Sequence, residues 1–219
     1  MKHKDFALSI IVCTLLGVSP NGEASIVTFD EIPVGTIFGP SSNNPGDLIF
    51  VEDGISVTLE EFLSTSGTLH FLGPAQVFAF GDTPPGFANP PDLGSGHFMF
   101  ISNISLEFDF TGLATPVTHL TVAFADGGGT ENIAVNGYPT WAGSILSAPA
   151  DIAPGVTLTV VPGLIELVGP IQSLRIAGQE FAIDNVIAVP APSSIAVGLL
   201  VLFRRSSERR RCRPTNRCS

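Results

Sequence analysis

The sequence predicts an all-β protein: a single two-sheet β-sandwich set between two terminal segments of different composition. Three observations predict it. Gly and Pro recur every few residues across residues 25–189, so no helical periodicity is sustained there. Between these breaks lie short runs of β-branched residues and Phe, the composition strands favour. Ser105-Leu106-Glu107-Phe108-Asp109-Phe110 alternates strictly, with Leu106, Phe108 and Phe110 facing in and Glu107 and Asp109 facing out. About a dozen short strands separated by turn signals are the pattern of a sandwich.

Taken in order, the first element is a helix rather than a strand. Lys2 and Lys4 give a basic start, and residues 6–18 form an apolar run. Gly22 and Ala24 then stand at the third and first positions before a cut ahead of Ser25. This is the three-part plan of a secretory signal peptide, so residues 1–24 are expected to be a signal helix that is removed on export. Strands are expected at 26–29, 55–59, 69–72, 76–80, 97–101, 104–110 and 117–125, and then at 133–135, 156–161, 164–168, 173–177 and 180–189. They form one domain, 25–189, which suits a chain of 219 residues with processing segments at its ends.

The tail, 190–219, reads differently again. Val189-Pro190-Ala191-Pro192-Ser193-Ser194 is rigid and extended, because each Pro fixes its own backbone and turns its predecessor away from helix. Residues 195–203 are apolar or Gly, and Arg204, Arg205, Arg209, Arg210 and Arg211 follow. The apolar run is expected to be a short helix. Counted from 192 to 203, it would span about 18 Å against roughly 30 Å of hydrocarbon, and Arg204 and Arg205 can snorkel across part of the gap. Basic residues beside such a segment stay on the cytoplasmic side and leave the body outside. A basic tail that never meets a membrane is the alternative.

This order of parts resembles the PEP-CTERM sorting signal of exported bacterial proteins. There a Pro-Glu-Pro motif precedes an apolar helix and an Arg-rich end; here Ala191 stands at the Glu position. The resemblance implies a sorting motif made of Pro190, Ala191, Pro192, Ser193, Arg204 and Arg205. It also implies an exosortase-type processing enzyme as partner, transient association with the inner membrane, and a destination in the cell envelope, on the cell surface or in the extracellular matrix.

Composition narrows the function classes. Hydrophobic residues make up 44% of the chain, enough for a sizeable core, which argues against wholesale disorder. The body, 25–189, holds seventeen Asp and Glu against a single Lys or Arg, Arg175. Such a surface repels nucleic acid and anionic lipid, so no nucleic-acid partner is expected. It suits calcium, which prefers hard oxygen ligands. Cys13, Cys212 and Cys218 all lie outside the body, so no disulfide staples its core.

Two short stretches resemble the jelly-roll modules of secreted bacterial proteins, including many carbohydrate-binding modules. The body opens with Ile26-Val27-Thr28-Phe29-Asp30-Glu31 and closes with Phe181-Ala182-Ile183-Asp184-Asn185-Val186. The resemblance implies a structural calcium held by Asp30 or Glu31 together with Asp184. Independently, a carboxylate on an apolar strand needs a partner or a metal. The competing reading is that Asp184 accepts hydrogen bonds from backbone groups at the sheet end. Asp126-Gly127-Gly128-Gly129-Thr130-Glu131-Asn132 is either a second oxygen-rich loop or a plain turn.

A sugar site is the other candidate. The chain has sixteen Phe but one Tyr and one Trp, and those two lie together in Asn136-Gly137-Tyr138-Pro139-Thr140-Trp141, while Phe serves the core. Rings with polar tips in a turn-rich segment suit a wet surface on which sugars stack, and Asn136, Tyr138 and Trp141 are the ligand-binding candidates. The alternative is an ordinary packed loop. No catalytic constellation stands out. Glu60 and Glu61 are adjacent, so on a strand they point to opposite faces and cannot flank one glycosidic bond. A pair drawn from distant strands stays open. The expectation is an exported, non-catalytic structural or adhesive protein in contact with exopolysaccharide. A dedicated carbohydrate-binding module is the alternative, and a glycan hydrolase or lyase is a third reading.

Overall fold

The computed structural model describes residues 23–191. Most of the expected signal helix, and the apolar tail helix with Pro192, Ser193, Arg204 and Arg205, lie outside the described residues. Fifteen strands follow in chain order. They are β1 (Ser25–Val27), β2 (Ile37–Phe38), β3 (Leu48–Glu52), β4 (Ile55–Glu60), β5 (Phe62–Leu63), β6 (Leu69–His70), β7 (Ala75–Ala79) and β8 (His97–Ile101). Next come β9 (Ile104–Asp109), β10 (Val117–Val135), β11 (Trp141–Gly143), β12 (Asp151–Ala153), β13 (Val156–Val161), β14 (Leu164–Ile171) and β15 (Ser173–Pro190). One turn of 3₁₀ helix, Ile145–Ser147, interrupts them. Among the described residues no helix is long and apolar enough to cross a membrane.

Thirteen of the strands share one antiparallel sheet, and β5 and β6 form a separate ribbon. The large sheet folds over on itself because β10 and β15 run side by side around a corner. Beyond the corner, residues 131–135 of β10 pair with 174–178 of β15, and this half continues outward through β9, β4 and β3. Before it, residues 117–128 of β10 pair with 180–190 of β15. This second half extends through β14, β13 and β12 on one side and β8, β7 and β2 on the other. The result is a sandwich-like fold whose two layers are hydrogen-bonded into each other. Strands that switch layers through bulges make such corners.

The corner is built by small residues. Register slips fall at Asp126/Gly128 and Gly128/Glu131. A Cβ on Gly178 would sit 2.3 Å from the Cβ of Phe181, and one on Gly73 would meet the carbonyl of Ser102. Asn103, in the left-handed region at φ 53°, carries the chain from β8 in one layer to β9 in the other, and its N–H donates to the Gly178 carbonyl at 2.8 Å. Glycine and asparagine tolerate these conformations; bulkier residues do not.

Alternating inward residues of both layers meet in a single core. Val57, Leu59, Leu106, Phe108 and Ile176 come from the first layer, and Leu120, Val122, Ile165, Leu167 and Ile183 from the second. A smaller apolar cluster (Leu93, Phe98 and Ala182, with Phe78 and Phe87) lies under the long connection between β7 and β8. On the far edge, buried Asn132 clamps the β5–β6 ribbon, accepting from the Leu63 N–H at 2.6 Å and donating to its carbonyl at 2.7 Å.

The outcome departs from expectation in three places. The segments 117–125 and 133–135 are one bent strand, and so are 173–177 and 180–189. The last strand runs through Pro190, and the Ala191 N–H donates to the Pro116 carbonyl at 2.8 Å, so the fold extends past 189. Strands β2, β3, β5, β11 and β12 were not expected at all.

Candidate functional site

The outer face of the first layer follows from strand register. Thr58 lies opposite Glu107, Glu107 opposite Arg175, and Arg175 opposite Ala134. Their neighbours Leu59, Leu106, Phe108, Leu174 and Ile133 fill the core, so this row points outward. Two adjoining depressions occupy the face. One, of roughly 240 Å³, is bordered by Tyr138, Thr140, Ser173, Arg175 and Glu107. The other, of roughly 470 Å³, is bordered by Thr58, Glu60, Glu107, Asp109, Thr111 and Gln172. Glu107, Gly137 and Ser173 belong to both, so together they make one polar groove.

Arg175 lies in its floor. Its Nε donates to Oε2 of Glu107 at 3.1 Å and its Nη2 to the same oxygen at 2.5 Å, while Oε2 of Glu60 stands 3.6 Å from Nη2. Burial raises the Glu60 carboxyl above its ordinary range; Arg175 opposes this, and Glu107 and Glu61 add to it. The structure thus brings together Glu60 and Glu107, a pair from separate strands, with a guanidinium beside both.

The expected aromatic pair divides between faces. Tyr138 is 43% exposed and borders the groove. Trp141 lies opposite inward-facing Ile133, packs against the core, and rests over Gly143, whose Cβ would be 2.8 Å from the Trp ring. Three residues of separation put the rings on opposite sides, so they do not form one stacking platform. Asn136 sits at a left-handed turn, φ 56°, with Gly137 at φ 70°. Its Nδ2 donates to the Pro170 carbonyl, and its Oδ1 accepts from the N–H groups of Gln172 and Ser173. Its amide therefore pins the groove wall.

The expected calcium residues lie on the second layer. Asp184 is 2% exposed and lies opposite Ala123, just before a bulge at Asn185, φ 50°. Asn185 caps it twice, with the backbone N–H donating to Oδ1 at 2.7 Å and Nδ2 to Oδ2 at 2.8 Å. Burial pushes the Asp184 carboxyl up to about 7; the Asn185 N–H opposes this, and the charges of Asp30 and Glu52 add to it. Asp30 Oδ1 accepts from the His97 N–H at 2.7 Å, and Glu31 is exposed on the turn.

Sequence reasoning missed Glu52 here. Its carboxylate receives the N–H and hydroxyl of Thr28 and the N–H of Phe29, fastening the opening segment. Phe29 is fully buried at φ 61°, a strained conformation for a bulky residue, so this junction is tightly determined. Among the described residues no three His, Cys, Asp or Glu side chains converge as a metal-holding group. A calcium beside Asp184 and Asp30 would therefore take further oxygens from the backbone.

A third acidic position is Glu131. It is 1% exposed and faces the core side; Oε2 accepts from the Ile145 N–H at 2.9 Å and Oε1 has no partner. Burial pushes its carboxyl up to about 7, and neighbouring Asp126 adds to the rise. The stretch that contains both is a bent strand rather than a loop. No known protein-family model matches the chain, and no curated protein matches it significantly.

Proposed function

We propose that this chain is an exported, non-catalytic β-sandwich of jelly-roll type that serves at the cell surface or in the extracellular matrix and adheres to polysaccharide through the groove beside Tyr138. The observation that carries this reading is the groove itself. An exposed aromatic ring stands at the rim of a depression bordered by hydroxyl, carboxylate and guanidinium groups. That combination, one apolar ring face with convergent donors and acceptors, suits a sugar. Binding fits better than hydrolysis, because Glu60 and Glu107 both approach the Arg175 guanidinium, and a hydrolase pair needs the sugar and its water between the carboxyls. Export and envelope delivery rest on the signal-like start and the PEP-CTERM-like end of the sequence. A structural calcium at Asp184 with Asp30 belongs to the same reading: a buried carboxylate repelled by two others, in a body whose sole Lys or Arg lies in the groove, takes either a proton or a cation.

A glycan array probed with the purified full chain tests the proposal. Retention on at least one polysaccharide class is expected, with Tyr138→Ala losing about tenfold in affinity at unchanged melting temperature. No retention on any glycan, full retention by Tyr138→Ala, or release of shortened sugars would overturn it.

A further inference from the structure

The charge of the groove selects among sugars. Three carboxylates, Glu60, Glu107 and Asp109, border it against one guanidinium. Both donors of that guanidinium that reach hydrogen-bond distance are spent on Glu107, and Glu60 stands beyond that distance at 3.6 Å. Asp109 has only the Thr111 N–H, at 2.8 Å, on its Oδ1. Asp109 follows Glu107 by two residues on β9, and Glu60 of β4 lies opposite Ser105, two residues the other way, so the two stand on either side of Glu107, about 13 Å apart along the strands. The groove thus holds three carboxylates against one guanidinium, an excess of negative charge that favours a cation over an anion.

We propose that the groove takes an amino-sugar polymer bearing free ammonium groups, with separate ammonium groups of the polymer against Asp109 and beside Glu60 and a sugar ring against Tyr138. This rests on the glycan-binding reading above and narrows it. A uronate or sulfated chain meets repulsion from the groove and from a body with seventeen acids against one Lys or Arg. A neutral chain finds hydroxyl partners but leaves Asp109 without a counter-charge and Glu60 with only the guanidinium it shares with Glu107. A bare divalent ion is the poorer occupant, since no three acidic or His side chains converge among the described residues. A basic peptide would satisfy the charge, but Thr58, Thr111, Thr140, Ser173 and Tyr138 form a lining that suits a polyhydroxyl ring.

The test is calorimetric titration of the full chain with oligomers of equal length: glucosamine, N-acetylglucosamine, glucose, galacturonate and lysine. Glucosamine should bind about tenfold or more tighter than its acetylated form at low salt, and the advantage should shrink at about 0.5 M salt. Glu60→Gln and Asp109→Asn should each cut that advantage, and galacturonate should not bind. Equal binding of the glucosamine, acetylated and glucose oligomers would sink this inference while leaving glycan binding intact. Oligolysine binding as tightly as glucosamine would sink it as well, since the groove would then read charge alone. Binding of no sugar would sink both.

Discussion

Arg175 donates from two nitrogens to one oxygen of Glu107, across a single cross-strand pair that joins β15 to β9. The two residues are 68 positions apart in sequence. This pairing places the only Lys or Arg of the body at the centre of the groove, and it leaves Glu60 and Asp109 with little counter-charge.

Arg175→Met should therefore destabilise the fold at neutral pH by about 1 kcal/mol, a small cost because the pair is partly solvated and screened. The loss should shrink at pH 4, where the Glu60 carboxyl, raised above its ordinary range by burial, takes up a proton and no longer needs the guanidinium. Denaturant titrations of the two proteins at both pH values measure this. An equal loss at both would mean that Arg175 acts through packing of its stem rather than through charge.

Stability should depend on pH in a direction set by Glu131 and Asp184. Both have folded-state carboxyls near 7, above ordinary values of 4.5 and 3.8. Between those limits the folded protein binds more protons than the unfolded chain, so unfolding free energy falls as pH rises. Their contribution is complete below about pH 4 and is lost as pH passes through 7. In chelator, melting temperature should decline from pH 5 to pH 8. Glu131→Gln, which keeps an acceptor for the Ile145 N–H, should flatten that decline. A parallel slope in the variant would show that Glu131 is ionised throughout.

Calcium should change the same profile. A cation beside Asp184 and Asp30 favours the ionised carboxylates, so the Asp184 share of the decline disappears when calcium is bound. At a hundred times its dissociation constant, calcium adds about 2.7 kcal/mol. Chelator should lower the melting temperature of the wild type, and Asp184→Asn should abolish the difference. Superimposable wild-type curves with calcium and with chelator would show that a proton, not a metal, relieves Asp184.

The corner should be intolerant of even one methyl group. Gly178→Ala would bring a Cβ to 2.3 Å from that of Phe181, which must shift within the core. A loss of about 3 kcal/mol is expected from such overpacking. Gly163→Ala is no neutral control, because Gly163 has φ 87°; Gly112→Ala, where the nearest atom is 3.3 Å away, should cost far less. Equal melting temperatures for the two variants would contradict the corner's role.

The strand faces were legible in the sequence and their neighbours were not. Alternation in 104–110 placed Glu107 and Asp109 outward, as found, because the period of a strand is local. Nothing local announces that β4 and β15 flank β9, so the meeting of Glu60, Glu107 and Arg175 stayed hidden. Gly127-Gly128-Gly129 read as a loop because glycine usually marks one; here it gives the room to bend a continuous strand. Strand β3 carried a usable signal, since Asp53 at φ 47° and Gly54 at φ 80° form the Asp-Gly turn of a hairpin. Its run Leu48-Ile49-Phe50-Val51 does not alternate, which concealed it. The opposite faces of Tyr138 and Trp141 depend on where β11 begins, which proximity in sequence does not reveal.

Hydrogen–deuterium exchange of the full chain, with and without a saturating glucosamine oligomer, locates the sugar on the protein without any substitution. Added protection is expected on the first layer, over 105–109, 137–140 and 173–175, and none on β13 and β14 of the second layer. Protection confined to the second layer, or none on the groove strands at a saturating sugar concentration, would contradict binding in the groove.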